Sequence, residues 1–128
     1  MILEGKNPIS RNEFETWHEK STMAIFSQSD SKLVVGWAVK LINIYLKTRV
    51  YIGNDGRPDL IRWIHPPIDG ELWKGIRIKY RNNPNIFKKT HCVERIKDIT
   101  TYDLYKTIIN GCSLIAQKQD CLLIEVEE

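Results

Sequence analysis

Apolar residues recur at helical spacing along much of the chain, and this periodicity predicts a mainly α-helical fold. Ser10 and Glu13 have the spacing of a capping box, in which each side chain bonds a free amide at a helix start. The apolar stripe that follows consists of Phe14, Trp17, Ser21, Ala24 and Ile25. We therefore expect a first helix from residue 10 to the polar break at 27–30, where Ser29 or Asp30 would cap the next helix.

The most apolar helix is predicted between residues 32 and 51. Its predicted core stripe is Leu33, Val34, Trp37, Leu41, Ile44, Tyr45 and Thr48. The predicted solvent stripe is Lys32, Gly36, Lys40, Asn43 and Lys47. Further apolar residues between the stripes widen the buried surface, and such a helix is usually enclosed by others. We expect it to form the centre of the fold.

Turn residues and prolines divide the middle of the chain. The turn at 53–56 precedes a short helix with apolar residues from Leu60 to Ile64, and the prolines after His65 end it. Asp69 can cap a fourth helix, because its carboxylate can accept hydrogen bonds from the first free amides. From Ile86 to Asp98 the apolar residues have no period, so we expect mostly loop with one helical turn.

The last long helix is predicted from the capping signal at 100–103 to Ala116. The tail from Cys121 to Glu128 predicts either a short strand or the start of another helix. These elements predict about five helices around the helix at 32–51. A chain of 128 residues with 42% hydrophobic and 27% charged residues suits one compact domain, which we place at residues 1–128.

Composition narrows the location and the cofactors. No apolar run approaches the roughly 20 residues of a membrane span, and the N-terminus has no signal-peptide core, so we expect a cytoplasmic protein without a membrane partner. His91, Cys92, Cys112 and Cys121 could supply four metal ligands in principle, but they lack the usual paired spacing. We predict no metal and no other cofactor.

The positive charge is concentrated in one segment. The whole chain carries a net charge of +3, whereas residues 74–97 contain eight basic residues against the single acidic Glu94. The candidate nucleic-acid-binding residues are Lys74, Arg77, Lys79, Arg81, Lys88 and Lys89. Such a cluster can neutralise phosphates of DNA or RNA, and Tyr80 and Phe87 could stack on exposed bases. The alternative is a solvated lysine-rich segment that binds nothing, and the oligomeric state is not predicted.

Candidate chemistry comes from one amine and one acid. Lys40 lies in the most apolar helix, where burial would favour its neutral, nucleophilic form; the alternative is a lysine that marks the solvent side. Asp69 presents a carboxylate at a helix start, although a cap is an equally ordinary role. His65 is a third catalytic candidate, as a base, unless it only closes the preceding helix.

The stretch from Gly36 to Lys40, followed 29 positions later by Asp69 in a Pro-x-Asp sequence, resembles the catalytic core of helix-hairpin-helix DNA glycosylases, particularly archaeal 8-oxoguanine glycosylases. The resemblance covers residues 35–76. It implies an all-α enzyme that flips a damaged base, with Lys40 as Schiff-base nucleophile and Asp69 as its partner. Whether the chain is an enzyme stays open, since a non-catalytic nucleic-acid- or protein-binding module using residues 74–97, or a helical adaptor, is the alternative.

Overall fold

Side-chain caps begin four of the six α-helices in the computed structural model, which describes residues 2–29 and 33–127. The helices are α1 (Arg11–Gln28), α2 (Val35–Leu46), α3 (Leu60–Trp63), α4 (Gly70–Tyr80), α5 (Pro84–Thr90) and α6 (Tyr102–Gln119). Ser10, Asp69 and Thr101 cap α1, α4 and α6, and each accepts from the amide three residues later. The predicted mainly α fold is confirmed.

Helix α2 occupies the centre, but its buried face differs from the predicted one. The core side is Val35, Ala38, Val39, Ile42 and Leu46, whereas Trp37, Leu41, Ile44 and Tyr45 are exposed. Gly36 and Asn43 of the predicted solvent stripe are buried. Gly36 donates its N–H to the Ile99 carbonyl at 2.9 Å, and a side chain there would collide with Ile96. The predicted orientation of α2 was wrong, because Gly36 and Asn43, which were placed on the solvent side, face the core.

The ends of α2 also differ from the prediction. Val34 is the N-cap and provides no side-chain hydrogen bond, so Ser29 does not cap this helix. The other predicted cap, Asp30, lies outside the described residues, as does Lys32. Beyond Leu46 the helix widens into a π-helical segment, Lys47–Ile52, instead of continuing as α-helix.

Two hydrophobic clusters meet along α2. The first packs α4, α5 and α6 against Val35 and Val39. The second packs α1, α3 and the N-terminal segment against Ile42 and Leu46. Because one helix supplies both clusters, it fixes the two halves of the molecule relative to each other.

Three shorter elements correct the sequence prediction. Helix α3 ends at Trp63, two residues before His65. Helix α5 forms where mostly loop was expected, because Asn83 accepts from the Ile86 amide and Pro84 takes the first helical position. The tail is a 3-10 helix at Leu123–Glu127, and the part of the chain that the structure describes contains no strand. None of the described helices has the length and apolarity needed to cross a bilayer.

Candidate functional site

The predicted nucleophile Lys40 lies half-buried on α2, next to an exposed aromatic ring. Its Nζ lies 5.1 Å from the centroid of the Trp37 ring, which is a cation–π distance. The Asp69 carboxylate is half-buried and accepts from the Leu72 amide at 2.8 Å. No ion pair joins Lys40 to Asp69 in the described structure. The catalytic pairing of these two residues stays a prediction.

An open hollow of about 380 Å³ separates the start of α4 from the Trp37 side of α2. Its lining residues are Trp37, Gly70, Trp73, Glu94, Arg95, Ile96 and Lys97. Trp73 is fixed in the wall, because its indole N–H donates to the Thr90 carbonyl at 2.8 Å. Neither Lys40 nor Asp69 lines this Trp37 hollow, but each neighbours a residue that does, since the Lys40 amine lies over the Trp37 ring and Asp69 precedes Gly70 in the sequence. It offers an exposed aromatic face beside two basic side chains.

The six predicted nucleic-acid-binding residues are all exposed and lie on one helical hairpin. We call this set, Lys74, Arg77, Lys79, Arg81, Lys88 and Lys89, the basic band. Helices α4 and α5 carry it, and residues 81–83 join them. None of the six forms an ion pair with another described residue. Their charges therefore remain available to an anionic partner.

The two aromatic residues predicted to stack on bases both contact other residues of the fold. Tyr80 is buried in the first cluster, and its hydroxyl accepts from the Gln119 amide at 2.8 Å. Phe87 is half-buried and stacks on the His91 ring, with 4.4 Å between centroids. The prediction for Tyr80 was wrong because its ring is buried in the fold, and that for Phe87 stays a prediction. Trp37, which was expected in the core, is exposed instead.

His65, the third catalytic candidate, is buried among aromatic residues rather than placed at the Trp37 hollow. Its Nδ1 lies 2.6 Å from the Tyr105 hydroxyl, and Phe14 packs edge-on against its ring. Burial, followed by the proximity of His18, lowers the pKa of His65 well below the usual 6.5. The imidazole is therefore neutral at physiological pH.

His65 belongs to a chain of five buried polar side chains that the sequence analysis missed. Its order is Tyr102, His18, Asn43, Tyr105 and His65, with distances of 2.7, 2.8, 2.8 and 2.6 Å. His18 is fully buried. The signal that could have found it is its spacing, since Phe14, His18 and Thr22 are the residues α1 buries.

The amide of Asn43 sets the direction of this chain. Its Nδ2 donates to the Tyr105 hydroxyl, so its Oδ1 accepts from His18 Nε2. Burial lowers the pKa of His18 to about 4, and the neutral ring then accepts at Nδ1 from the Tyr102 hydroxyl. Tyr105 in turn donates to His65 Nδ1. The proton of His65 is therefore on Nε2, for which no described residue offers an acceptor.

The residues that could in principle have supplied metal ligands are not assembled into a site in the described structure. Cys92 is exposed and Cys112 is fully buried, where burial raises the pKa of its thiol to about 12. Across residues 2–29 and 33–127, no three His, Cys, Asp or Glu side chains are grouped so as to hold a metal ion. No protein-family model, curated protein or solved structure matches this chain, and only its own residues bear on its function.

Proposed function

We propose that this protein binds single-stranded nucleic acid, with the basic band holding phosphates and the Trp37 hollow receiving a base. The observation that carries the proposal is the set of six exposed basic side chains without ion-pair partners among the described residues, together with the exposed Trp37, whose hollow is also lined by Gly70 and Trp73 of α4. Positively charged surfaces that track the backbone, combined with aromatic stacking platforms, are the usual means of binding single strands.

The two parts contribute differently to binding. Lys and Arg side chains that neutralise phosphates release counterions, so this contribution weakens as salt concentration rises. Stacking on Trp37 does not depend on net charge, and it is worth about 1–3 kcal/mol per base. Arg95 and Lys97 line the hollow and would pair with the phosphates that flank the stacked base. Sequence preference is expected to be weak, because every base has an aromatic face.

Fluorescence anisotropy with labelled single-stranded DNA and RNA at several salt concentrations tests the proposal. The double variant Lys74→Glu/Lys88→Glu should lose at least about tenfold in affinity, with a shallower salt dependence. Its matched control, Lys6→Glu/Lys20→Glu, makes the same charge change outside the basic band. Trp37→Ala should weaken binding but leave the salt dependence unchanged. No binding at low salt, or equal losses in the two double variants, would refute the proposal.

A second candidate function is a glycosylase or lyase activity on a damaged strand, favoured by the Lys40 amine over the ring of Trp37, which lines the hollow. Its amine, once deprotonated, would bond to the deoxyribose C1′ as the bond to the base breaks; the base leaves with the electron pair and takes up the proton that the amine loses. Breaking of the C1′–O4′ bond would then open the sugar ring and give the imine. Asp69 would stabilise the positive charge that develops on the sugar.

Borohydride reduction of the imine tests this second function with oligonucleotides that contain 8-oxoguanine or an abasic site. We expect a covalent adduct that is absent in Lys40→Gln and present in Lys20→Gln. Lys40→Gln should still bind the strand, which separates loss of chemistry from loss of binding. If no oligonucleotide gives a Lys40-dependent adduct, the catalytic function is wrong and the binding function is unaffected.

A further inference from the structure

A second cavity, a cleft of about 260 Å³, lies among α1, α3 and α6 and shares no lining residue with the Trp37 hollow. Both ends of the buried polar chain, His65 and Tyr102, line it. Phe14, Trp63 and Ile109 supply apolar walls. Trp63 is held in place, since its indole N–H donates to the Ile9 carbonyl at 2.9 Å. The cleft therefore combines fixed apolar surface with buried polar groups.

His65 provides a hydrogen-bond donor that the fold leaves unused. The residue is only 6% exposed, and the direction of the polar chain puts its proton on Nε2. The fully buried side-chain atoms without a partner in the described structure are Thr22 Oγ1 and His91 Nε2, so the unpaired His65 Nε2 is accessible from the cleft. An oxygen atom of a ligand in the cleft would accept from it. The donor thus points to a ligand with hydrogen-bond acceptors.

The charges around the cleft indicate the sign of that ligand. Arg11, Arg62 and Lys106 are exposed basic residues in its lining, and Glu15 is its only carboxylate among the described residues. Arg11 already bonds Glu15, with 3.0 Å between Nε and Oε1, and Arg62 pairs with Asp59 at the surface, with 3.5 Å between Nε and Oδ1. Lys106 makes no ion pair with any described residue. Three basic side chains against the carboxylates of Glu15 and Asp59 leave the opening with one excess positive charge, which favours an anion.

We propose that this cleft binds a small organic anion, a carboxylate or a phosphate monoester with an aromatic or aliphatic body. Its oxygen atoms would accept from His65 Nε2 and pair with Arg62 and Lys106, while its body would pack against Phe14 and Trp63. This site does not depend on the proposed nucleic-acid binding, since the basic band and the cleft have no residue in common.

Titrations followed by two-dimensional amide NMR test the site with indole-3-acetate, phenyl phosphate and the neutral indole-3-acetamide. At least one of the two anions should shift the amide signals of Trp63, Asn110 and Leu123, and which one does so identifies the preferred acid group. The neutral amide should bind at least about tenfold more weakly than the acetate. Equal binding of acetate and amide, no shifts at millimolar ligand, or shifts confined to residues of the Trp37 hollow would overturn the proposal.

A matched pair of variants completes the experiment. The double variant Arg62→Gln/Lys106→Gln should weaken binding of the anion at least about tenfold and leave binding of the neutral indole-3-acetamide unchanged. Lys6→Gln/Lys20→Gln removes the same charge away from the cleft and should bind like the unaltered protein. All four positions are exposed, so thermal melting should be nearly unchanged. If the two double variants bind the anion equally, the rim charges do not form this site and the proposal is wrong.

Discussion

Gly111 shows how a single residue controls packing, since it lies where α5 meets α6. A Cβ atom there would lie 2.6 Å from Thr90 Cγ2 and 3.0 Å from Lys89 Cβ. Gly111→Ala should therefore lower the free energy of unfolding by about 1–3 kcal/mol, despite the better helix propensity of alanine. Gly75→Ala in α4 is the control, because no atom lies within 4 Å and the helix should gain up to about 1 kcal/mol. Urea unfolding that shows similar effects for both variants would contradict this packing.

The buried histidines predict a specific pH dependence. Unfolding returns the pKa of His18 from about 4 to 6.5, and burial likewise holds the pKa of His65 below 6.5 in the folded protein. Above pH 6.5 the two histidines should not lower the free energy of unfolding, because they are neutral in both the folded and the unfolded state. As the pH falls towards 4, the unfolded state binds protons that the folded state does not bind. Each histidine therefore lowers the free energy of unfolding by up to about 1.4 kcal/mol per pH unit.

NMR measures this dependence residue by residue, without the contribution of the carboxylates. The imidazole signals of His18 and His65 should not titrate between pH 8 and about pH 5 in the folded protein, and all histidines should titrate near 6.5 in urea. His91→Asn removes the third set of signals, so the remaining two sets belong to His18 and His65. An ordinary titration of either histidine in the folded protein would contradict the buried polar chain.

Helix α2 is the element whose orientation the sequence could not supply, and one pair of substitutions tests it. Leu46 is fully buried, whereas Leu41 is 54% exposed. Leu46→Ala should lower the free energy of unfolding by about 2–5 kcal/mol, because it leaves a cavity. Leu41→Ala makes the same chemical change and should cost no more than about 0.5 kcal/mol. If the predicted core stripe, which contained Leu41, were correct, chemical denaturation would show a larger loss for Leu41→Ala than for Leu46→Ala.

Element boundaries were predictable from the sequence where their cause is local, and buried faces were not. The caps at Ser10, Asp69 and Thr101 depend on an amide three residues away. The burial of Asn43 depends on Tyr105, 62 positions later. The apolar spacing within α2 gives no information about Tyr105, so the prediction placed Asn43 in solvent and Trp37 in the core. The candidate site divides in the same way, since the basic band is a run in the sequence and both cavities are formed by distant segments.

At the scale of the whole molecule, the basic band and the cleft lie on different parts of the fold. The basic band lies on α4, α5 and the linker between them, and α4 and α5 belong to the first hydrophobic cluster; the cleft lies among α1, α3 and α6. The buried polar chain joins α1, α2 and α6 and so links the two clusters. If the clusters unfolded separately, side chains such as Asn43 would lose their partners while still buried, at about 1–3 kcal/mol each.

This coupling predicts a single cooperative unfolding transition. Trp73 reports on the first cluster and Trp63 on the second, so two variants that each keep one of these tryptophans, with the others replaced by phenylalanine, separate the signals. In each variant the urea midpoint from fluorescence should coincide with the midpoint from circular dichroism. A lower fluorescence midpoint in the variant that keeps Trp63 would mean that the second cluster opens first. Helix α2 and the polar chain would then not hold the two clusters together.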